Sequence, residues 1–150
     1  MDLIKDTVTL ISTGKQIGSL KGIKDATATK GNDILIGDEF PNKLQGKEGD
    51  DLFDGRFGEP NDTLIGDIGN DTYQVDSTAE IISENSGEGT DTVEASLNYT
   101  LGDNLEKLTL VGTDSLTGIG NTLKNTLLGN DSDNLLNGGD NKDTLIGGNG

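Results

Sequence analysis

Residues Gly31–Asp76 read GNDILIGDEFPNKLQGKEGDDLFDGRFGEPNDTLIGDIGNDTYQVD, a run in which one apolar residue returns at Leu35, Leu44, Phe53, Leu64 and Tyr73. The intervals are nine, nine, eleven and nine residues. Two positions ahead of each of these except Leu44 stands an aspartate, in Asp33-Ile34-Leu35, Asp51-Leu52-Phe53, Asp62-Thr63-Leu64 and Asp71-Thr72-Tyr73. The residues before these triplets are poor for a helix and suited to turns. Gly supplies positive φ without steric cost, and Asp or Asn tolerates the neighbouring left-handed region. Such regularity predicts a solenoid whose apolar positions form the core and whose turns hold ions.

The ions follow from the stacking. Turns piled at solenoid spacing bring carboxylates from successive coils together, a repulsion of several kcal/mol in order of magnitude at short range. A hard divalent cation between the turns removes it. Calcium accepts a flexible shell of carboxylate and carbonyl oxygens, whereas zinc calls for the His or Cys that this chain entirely lacks.

With these residues in view, the chain resembles the RTX, or haemolysin-type, calcium-binding repeats, whose nonapeptide Gly-Gly-x-Gly-x-Asp-x-apolar-x folds as a parallel β-roll. The best match is Gly46-Lys47-Glu48-Gly49-Asp50-Asp51-Leu52-Phe53-Asp54. Close to it are Gly66-Asp67-Ile68-Gly69-Asn70-Asp71-Thr72-Tyr73-Gln74 and Gly138-Gly139-Asp140-Asn141-Lys142-Asp143-Thr144-Leu145-Ile146. The resemblance implies an all-β parallel β-roll or β-solenoid with two nonapeptides per coil and calcium between stacked turns. Carried over residue by residue, it puts Asp33, Asp51 and Asp71 along one edge and Asn42 and Asp62 along the other. Ions are expected between Asp33 and Asp51 and between Asp51 and Asp71, with Gly31, Gly49 and Gly69 shaping turns whose carbonyls complete the shell. The position between Asn42 and Asp62 is weaker: Asn is a neutral ligand, the turn from Gly37 to Pro41 is poor in glycine, and the Glu59-Pro60-Asn61 turn carries two extra residues.

Residues 31–76 thus form a first repeat block. A second, Asn-rich block spans 113–150, where Leu127, Leu136 and Leu145 again lie nine apart behind Asn125, Asn134 and Asp143. Here the Asn side chains are expected to bond turn backbone rather than calcium, while Asp143 is expected to be a ligand. The ending Gly147-Gly148-Asn149-Gly150 opens another nonapeptide without finishing it, as in a fragment of a longer secreted protein. Between the blocks, residues 77–112 resemble a spacer that recurs in RTX-type sequences. In it Val93, Ala95, Leu97, Tyr99 and Leu101 alternate with polar residues at the period of a half-buried strand, and Leu105, Leu108 and Leu110 continue the pattern. The acidic stretch Glu80 to Asp91 reads as a solvated loop rather than a catalytic pair. Residues 1–30, with five Lys against three Asp and the β-like run Thr7-Val8-Thr9-Leu10-Ile11, read either as a cap on the first coil or as a linker.

Only 30% of the 150 residues are hydrophobic and 3% aromatic, with a formal charge of −16, so by composition the chain should be disordered on its own. From Gly31 onward, 24 acidic and six basic residues leave −18 on the repeats and spacer. Roughly three to five calcium ions would cancel about six to ten of those charges, which makes folding and binding one equilibrium. Without cysteine there are no disulfide staples, and in an extracellular protein metal is the available substitute.

The absence of His removes Ser-His and Cys-His nucleophile systems and most hydrolytic zinc sites, and acidic pairs are too abundant to single one out. No phosphate loop occurs, and Asp131-Ser132-Asp133 is not followed by the acidic residue and Gly of an EF-hand. Strong negative charge disfavours nucleic acid. No apolar run is long enough to span a bilayer, and no amino-terminal hydrophobic region precedes a cleavage site. The expected role is therefore not enzymatic: a monomeric, calcium-dependent folding and stabilising module of an extracellular bacterial protein, for which the resemblance implies type I secretion. Two other classes stand beside it. One is a module that binds polysaccharide or a cell surface on behalf of a carbohydrate-active enzyme or adhesin, and the other is a purely structural solenoid without metal.

Overall fold

The computed structural model describes residues 24–55 and 61–150, together with the backbone of Thr7–Thr9 and Gln16–Ile17. Leu10, Ile11, Phe57 and the Glu59–Pro60 part of the expected long turn lie outside the described residues. Among these residues the chain is all-β, and every strand pair is parallel. Such pairing requires each strand to bond with one a full coil away.

One sheet runs the length of the solenoid. In spatial order it contains Thr144–Ile146 (β16), Thr126–Leu128 (β14), Lys107–Leu110 (β12), Thr92–Ala95 (β10), Thr72–Val75 (β8), Leu52–Asp54 (β6), Ile34–Ile36 (β4) and Gln16–Ile17 (β2). Facing it at one end are Thr7–Thr9 (β1), Asp25–Thr27 (β3), Lys43–Glu48 (β5), Thr63–Ile68 (β7) and Ile81–Ser83 (β9). Tyr99–Thr100 (β11), Thr117–Ile119 (β13) and Leu135–Asn137 (β15) form the third sheet. The chain thus winds as a β-solenoid, alternating between the long sheet and the facing ones.

Register explains the apolar period. Leu35 pairs with Phe53, Phe53 with Tyr73, Tyr73 with Val93, Val93 with Leu108, and Leu108 with Leu127, so one inward position per coil makes a continuous column. All are buried. On the facing side Ala26, Leu44 and Leu64 make the matching column. Phe53 and Tyr73 stack with ring centroids 5.0 Å apart. Each buried Leu or Phe contributes about 1.5–3 kcal/mol; Val75, Ala95 and Leu110 add a second buried column through β8, β10 and β12, whereas β4 and β6 bury one apolar residue each, which leaves little core in those coils.

The expected half-buried strand from Val93 to Leu101 is broken in two, because the coil must turn a corner between β10 and β11 at Ser96–Asn98. A period of two can persist through a corner, so the alternation alone does not reveal the break.

At the other corner the turns stack through backbone bonds: Gly49 N–H donates to Ile68 O (2.8 Å) and Gly69 N–H to Glu88 O (2.9 Å). Gly69 has a φ of 156°, and a Cβ on it would overlap the Gly49 carbonyl one coil away. Gly69→Ala is expected to cost on the order of 2–3 kcal/mol through strain and lost stacking. Denaturant unfolding in saturating calcium measures it, and an unchanged midpoint would contradict this account of the corner.

Candidate calcium sites

The corner that enters the long sheet carries a ladder of carboxylates. Asp33, Asp51, Asp71 and Asp91 stand one before each of β4, β6, β8 and β10, and all four are at most 2% exposed. The side chains of Asp51, Asp71 and Asp91 each accept a backbone N–H from the aspartate one coil earlier. Asp33 N–H donates to Asp51 Oδ1 (2.7 Å), Asp51 N–H to Asp71 Oδ1 (2.7 Å), and Asp71 N–H to Asp91 Oδ1 (2.8 Å). Asp91 N–H continues the series to Glu106 Oε2 (2.9 Å). The expected alignment of Asp33, Asp51 and Asp71 along one edge is therefore observed, extended by a coil.

One oxygen is left over on each of the first three ladder aspartates. Asp33 Oδ1, Asp51 Oδ2 and Asp71 Oδ2 are buried with no hydrogen-bond donor. Asp33 Oδ2 is occupied by the backbone N–H and hydroxyl of Thr29 (3.0 and 2.8 Å). A Cβ on Gly46 would run into Asp51 Oδ2 and lie 2.9 Å from the carbonyl oxygen of Gly66, so these two oxygens face one space that glycine keeps open. Buried acceptors without donors are costly, and an oxygen-only cradle with a carboxylate and a carbonyl matches calcium chemistry.

Burial pushes Asp51 up to about 6 and Asp71 up to about 7, reinforced by neighbouring aspartates and partly offset by the N–H that each accepts. Burial likewise raises Asp91 to about 6. Raised carboxylate pKa values mean that the calcium-free fold binds more protons than the unfolded chain. Their contribution to stability is fully present below the ordinary carboxylate range near 3.8 and is lost as pH rises through about 6 to 7. Calcium-stripped protein is therefore expected to melt at its highest temperature near pH 4 and to lose stability toward pH 8, with the trend suppressed by saturating calcium. Thermal melts followed by circular dichroism across that range decide it; a calcium-free melting temperature that rises with pH would refute the arrangement.

At the Asn rungs the side-chain amide bonds the turns. Asn125 lies on the same edge, where its Oδ1 accepts Asn121 N–H (2.7 Å) and its Nδ2 donates to Leu105 O (3.1 Å) and Glu106 O (3.4 Å). Asn134, on the opposite edge, accepts Asn130 N–H (2.8 Å) and donates to Asn130 Oδ1 (2.8 Å) and Ser132 O (2.6 Å). The expectation that these side chains bond turn backbone holds. Asp143 accepts Asn125 N–H at Oδ1 (2.8 Å), which places it on the ladder edge, and it is half-buried.

On the opposite edge Asn42 N–H donates to Asp62 Oδ1 (2.8 Å), bringing this pair together as expected. Asn42 Oδ1 accepts Asp38 N–H (2.7 Å) and its Nδ2 donates to Asp38 Oδ1 (3.4 Å), so its amide is bonded within its own turn. Asp62 is buried and raised by that burial. Half-buried Glu80 has both carboxylate oxygens unpartnered and is pushed to about 8 by burial, then by Asp76 and Asp62.

The stretch Glu80–Asp91 is not uniformly a solvated loop. Glu84 and Asp91 are buried, whereas Ser86 and Gly87 are exposed. Asp91 was legible: Asp91-Thr92-Val93 repeats the Asp-x-apolar triplet of Asp71-Thr72-Tyr73 behind Gly87-Glu88-Gly89. Glu84 has no such local signal.

Comparison with known proteins agrees with this geometry. The RTX calcium-binding nonapeptide repeat matches in four copies over residues 27–59, 61–74 and 119–150, together just over half of the chain. A curated relative, endo-1,3-1,4-beta-glycanase EglC of Rhizobium meliloti (strain 1021), is 37% identical over 65 residues, which are 43% of this chain and 14% of that protein. The chain thus spans a small part of that relative's length. No solved structure matches.

Proposed function

The chain belongs to the family of RTX calcium-binding nonapeptide repeats, and from that premise we propose that it is a calcium-switched folding module of a secreted protein. In this reading calcium sits between Asp33 and Asp51 and between Asp51 and Asp71, beside the turns shaped by Gly31, Gly49 and Gly69. Asp62 and Asp143 add weaker positions, and Asn42 contributes through its turn. The observation that carries the reading is the set of buried, donorless oxygens on Asp33, Asp51 and Asp71, one per coil on a single edge. A calcium-poor cytosol would leave the chain unfolded for type I export, and a calcium-rich exterior would fold it.

The repeat solenoid is a structural calcium-binding module, and no helix among the described residues is long and apolar enough to cross a membrane. Similarity to a segment of a glycanase supports a place beside a carbohydrate-active catalytic domain. Sugar binding by the roll itself gains less support. Phe53 and Tyr73 are core, and Phe40 is the exposed aromatic among the described residues.

Calorimetric titration tests the assignment. Because Asp51 stands between two sites, Asp51→Ala is expected to weaken calcium binding at least tenfold and to remove more than one ion, while Asp143→Ala changes affinity by less than threefold. Equal effects would overturn the stacking of sites on the ladder, and calcium uptake no stronger than magnesium uptake would overturn the metal assignment.

A further inference from the structure

We propose that the spacer carries a calcium site of its own, formed by Asp71, Glu84 and Asp91 with the Tyr73 hydroxyl, in which a glutamate side chain replaces the turn carbonyl of the nonapeptide coils. The assignment rests on the calcium reading and extends it to residues outside the nonapeptide matches. Oxygens of the three carboxylates all lie within 4.8 Å of one another, and all three residues are buried. Asp71 Oδ2 and Glu84 Oε2 have no donor, although Glu84 is only 9% exposed and Asp71 fully buried.

The register shows what Glu84 replaces. Gln45, Ile65 and Ser83 are paired across β5, β7 and β9, so the next positions in the three coils are Gly46, Gly66 and Glu84. Between the first two coils the open space holds Asp51 Oδ2 and the Gly66 carbonyl. One coil on, the space beside Gly66 holds Asp71 Oδ2, Glu84 Oε1 and the Tyr73 hydroxyl, all of which a Cβ on Gly66 would strike. The Glu84 carbonyl is already engaged by Asn104 Nδ2, which donates to it at 2.9 Å. That bond anchors the backbone and leaves the side chain to supply the oxygen. Tyr73 donates its hydroxyl proton to Glu84 Oε1, which leaves Oε2 as the carboxylate oxygen without a donor. Burial first, then this bond and the adjacent carboxylates, raises the tyrosine pKa, so the phenol stays a neutral donor.

Three carboxylates without nitrogen or sulfur select a hard cation. Their spread favours calcium, which tolerates irregular shells, over magnesium, which demands a compact octahedron. An ion here would tie Asp71, in the first repeat block, to Glu84 and Asp91, in the spacer. Calcium would then order the spacer coil as well as the repeats.

Bound calcium is counted by native mass spectrometry on the wild-type chain, Glu84→Gln and Asp51→Ala, each at saturating calcium. Gln keeps the acceptor for Tyr73 and the size of Glu84 while removing its charge. Glu84→Gln is expected to bind one ion fewer than wild type. An unchanged count for Glu84→Gln together with a reduced count for Asp51→Ala would overturn the spacer site and leave the calcium reading standing. A wild-type chain that takes up no calcium would overturn both. Anomalous scattering from wild-type crystals grown in calcium does not depend on how the variant folds. A peak at about 2.3–2.6 Å from oxygens of Glu84 and Asp71 is expected, and peaks at Asp51 with none at Glu84 would overturn the site.

Discussion

Chelating calcium at about pH 7.5 is expected to convert the protein from a β-rich to a coil spectrum in the far ultraviolet, and added calcium, but not magnesium, is expected to restore it. The effect is large because the charges, core and polar bonding all act in one direction. From Gly31 onward the chain carries a net charge of −18, and the ladder aligns buried carboxylates from adjacent coils. Asp33 Oδ1, Asp51 Oδ2, Asp71 Oδ2 and Glu84 Oε2 are buried without donors. At roughly 1–3 kcal/mol for each orphaned group, their summed cost approaches the ~5–15 kcal/mol that separates a folded domain from its unfolded chain. Through β4 and β6 each strand buries a single apolar residue, Leu35 or Phe53, so the core of the repeat coils has little reserve against that cost. An ion bound only by the folded state reverses the balance by mass action. A β spectrum unchanged by chelator would mean a preformed solenoid and would return the metal-free structural class to first place.

How far the sequence foretold this arrangement depends on the residue. Leu35, Leu44, Phe53, Leu64 and Tyr73 were legible as core because period, turn chemistry and register agree at each of them, and all five are fully buried. The division of Asp33, Asp51 and Asp71 from Asn42 and Asp62 followed from the two nonapeptides per coil that the RTX resemblance implies, and the pairing of β4 with β6 and β5 with β7 has that spacing. The spacer was harder. Coils measured along the ladder are 18 residues at Asp33–Asp51 and 20 at Asp51–Asp71, but 15 at Asp91–Glu106. That coil has the turn Gly102-Asp103 but no Gly-x-Gly-x-Asp spacing ahead of Glu106, so the nonapeptide period does not count it. Glu84 was read as solvated because its neighbours are polar and its partners are distant in sequence. Asp71, Tyr73 and Asn104 define its environment, and only strand register brings them to it.

Replacing Asp33, Asp51, Asp71 and Asp91 together by Asn is expected to produce a roll that stays folded in chelator and no longer responds to calcium. Asn125 provides the physical template, with its Oδ1 filled by a turn N–H and its Nδ2 donating to the carbonyls of Leu105 and Glu106 in the preceding coil. An Asn at position 51 would keep an oxygen for Asp33 N–H and present its amide toward the Gly66 carbonyl, which shares the Asp51 Oδ2 space. Each exchange removes one buried charge and puts a donor where the aspartate has an orphan oxygen or a repelling neighbour. What is lost is the ion bridge between coils. For wild type, two or more sites at about 2.7 kcal/mol each, with calcium ~100-fold above Kd, correspond to a rise in Tm on the order of 10–20 °C. The fourfold variant is expected to show a β spectrum in chelator and a Tm that moves by less than about 3 °C on adding calcium. A variant that is a coil with and without calcium would refute the equivalence of Asn and metal-bearing rungs. The ladder would then need the ion as a cross-link between coils, beyond its role in neutralising buried charge.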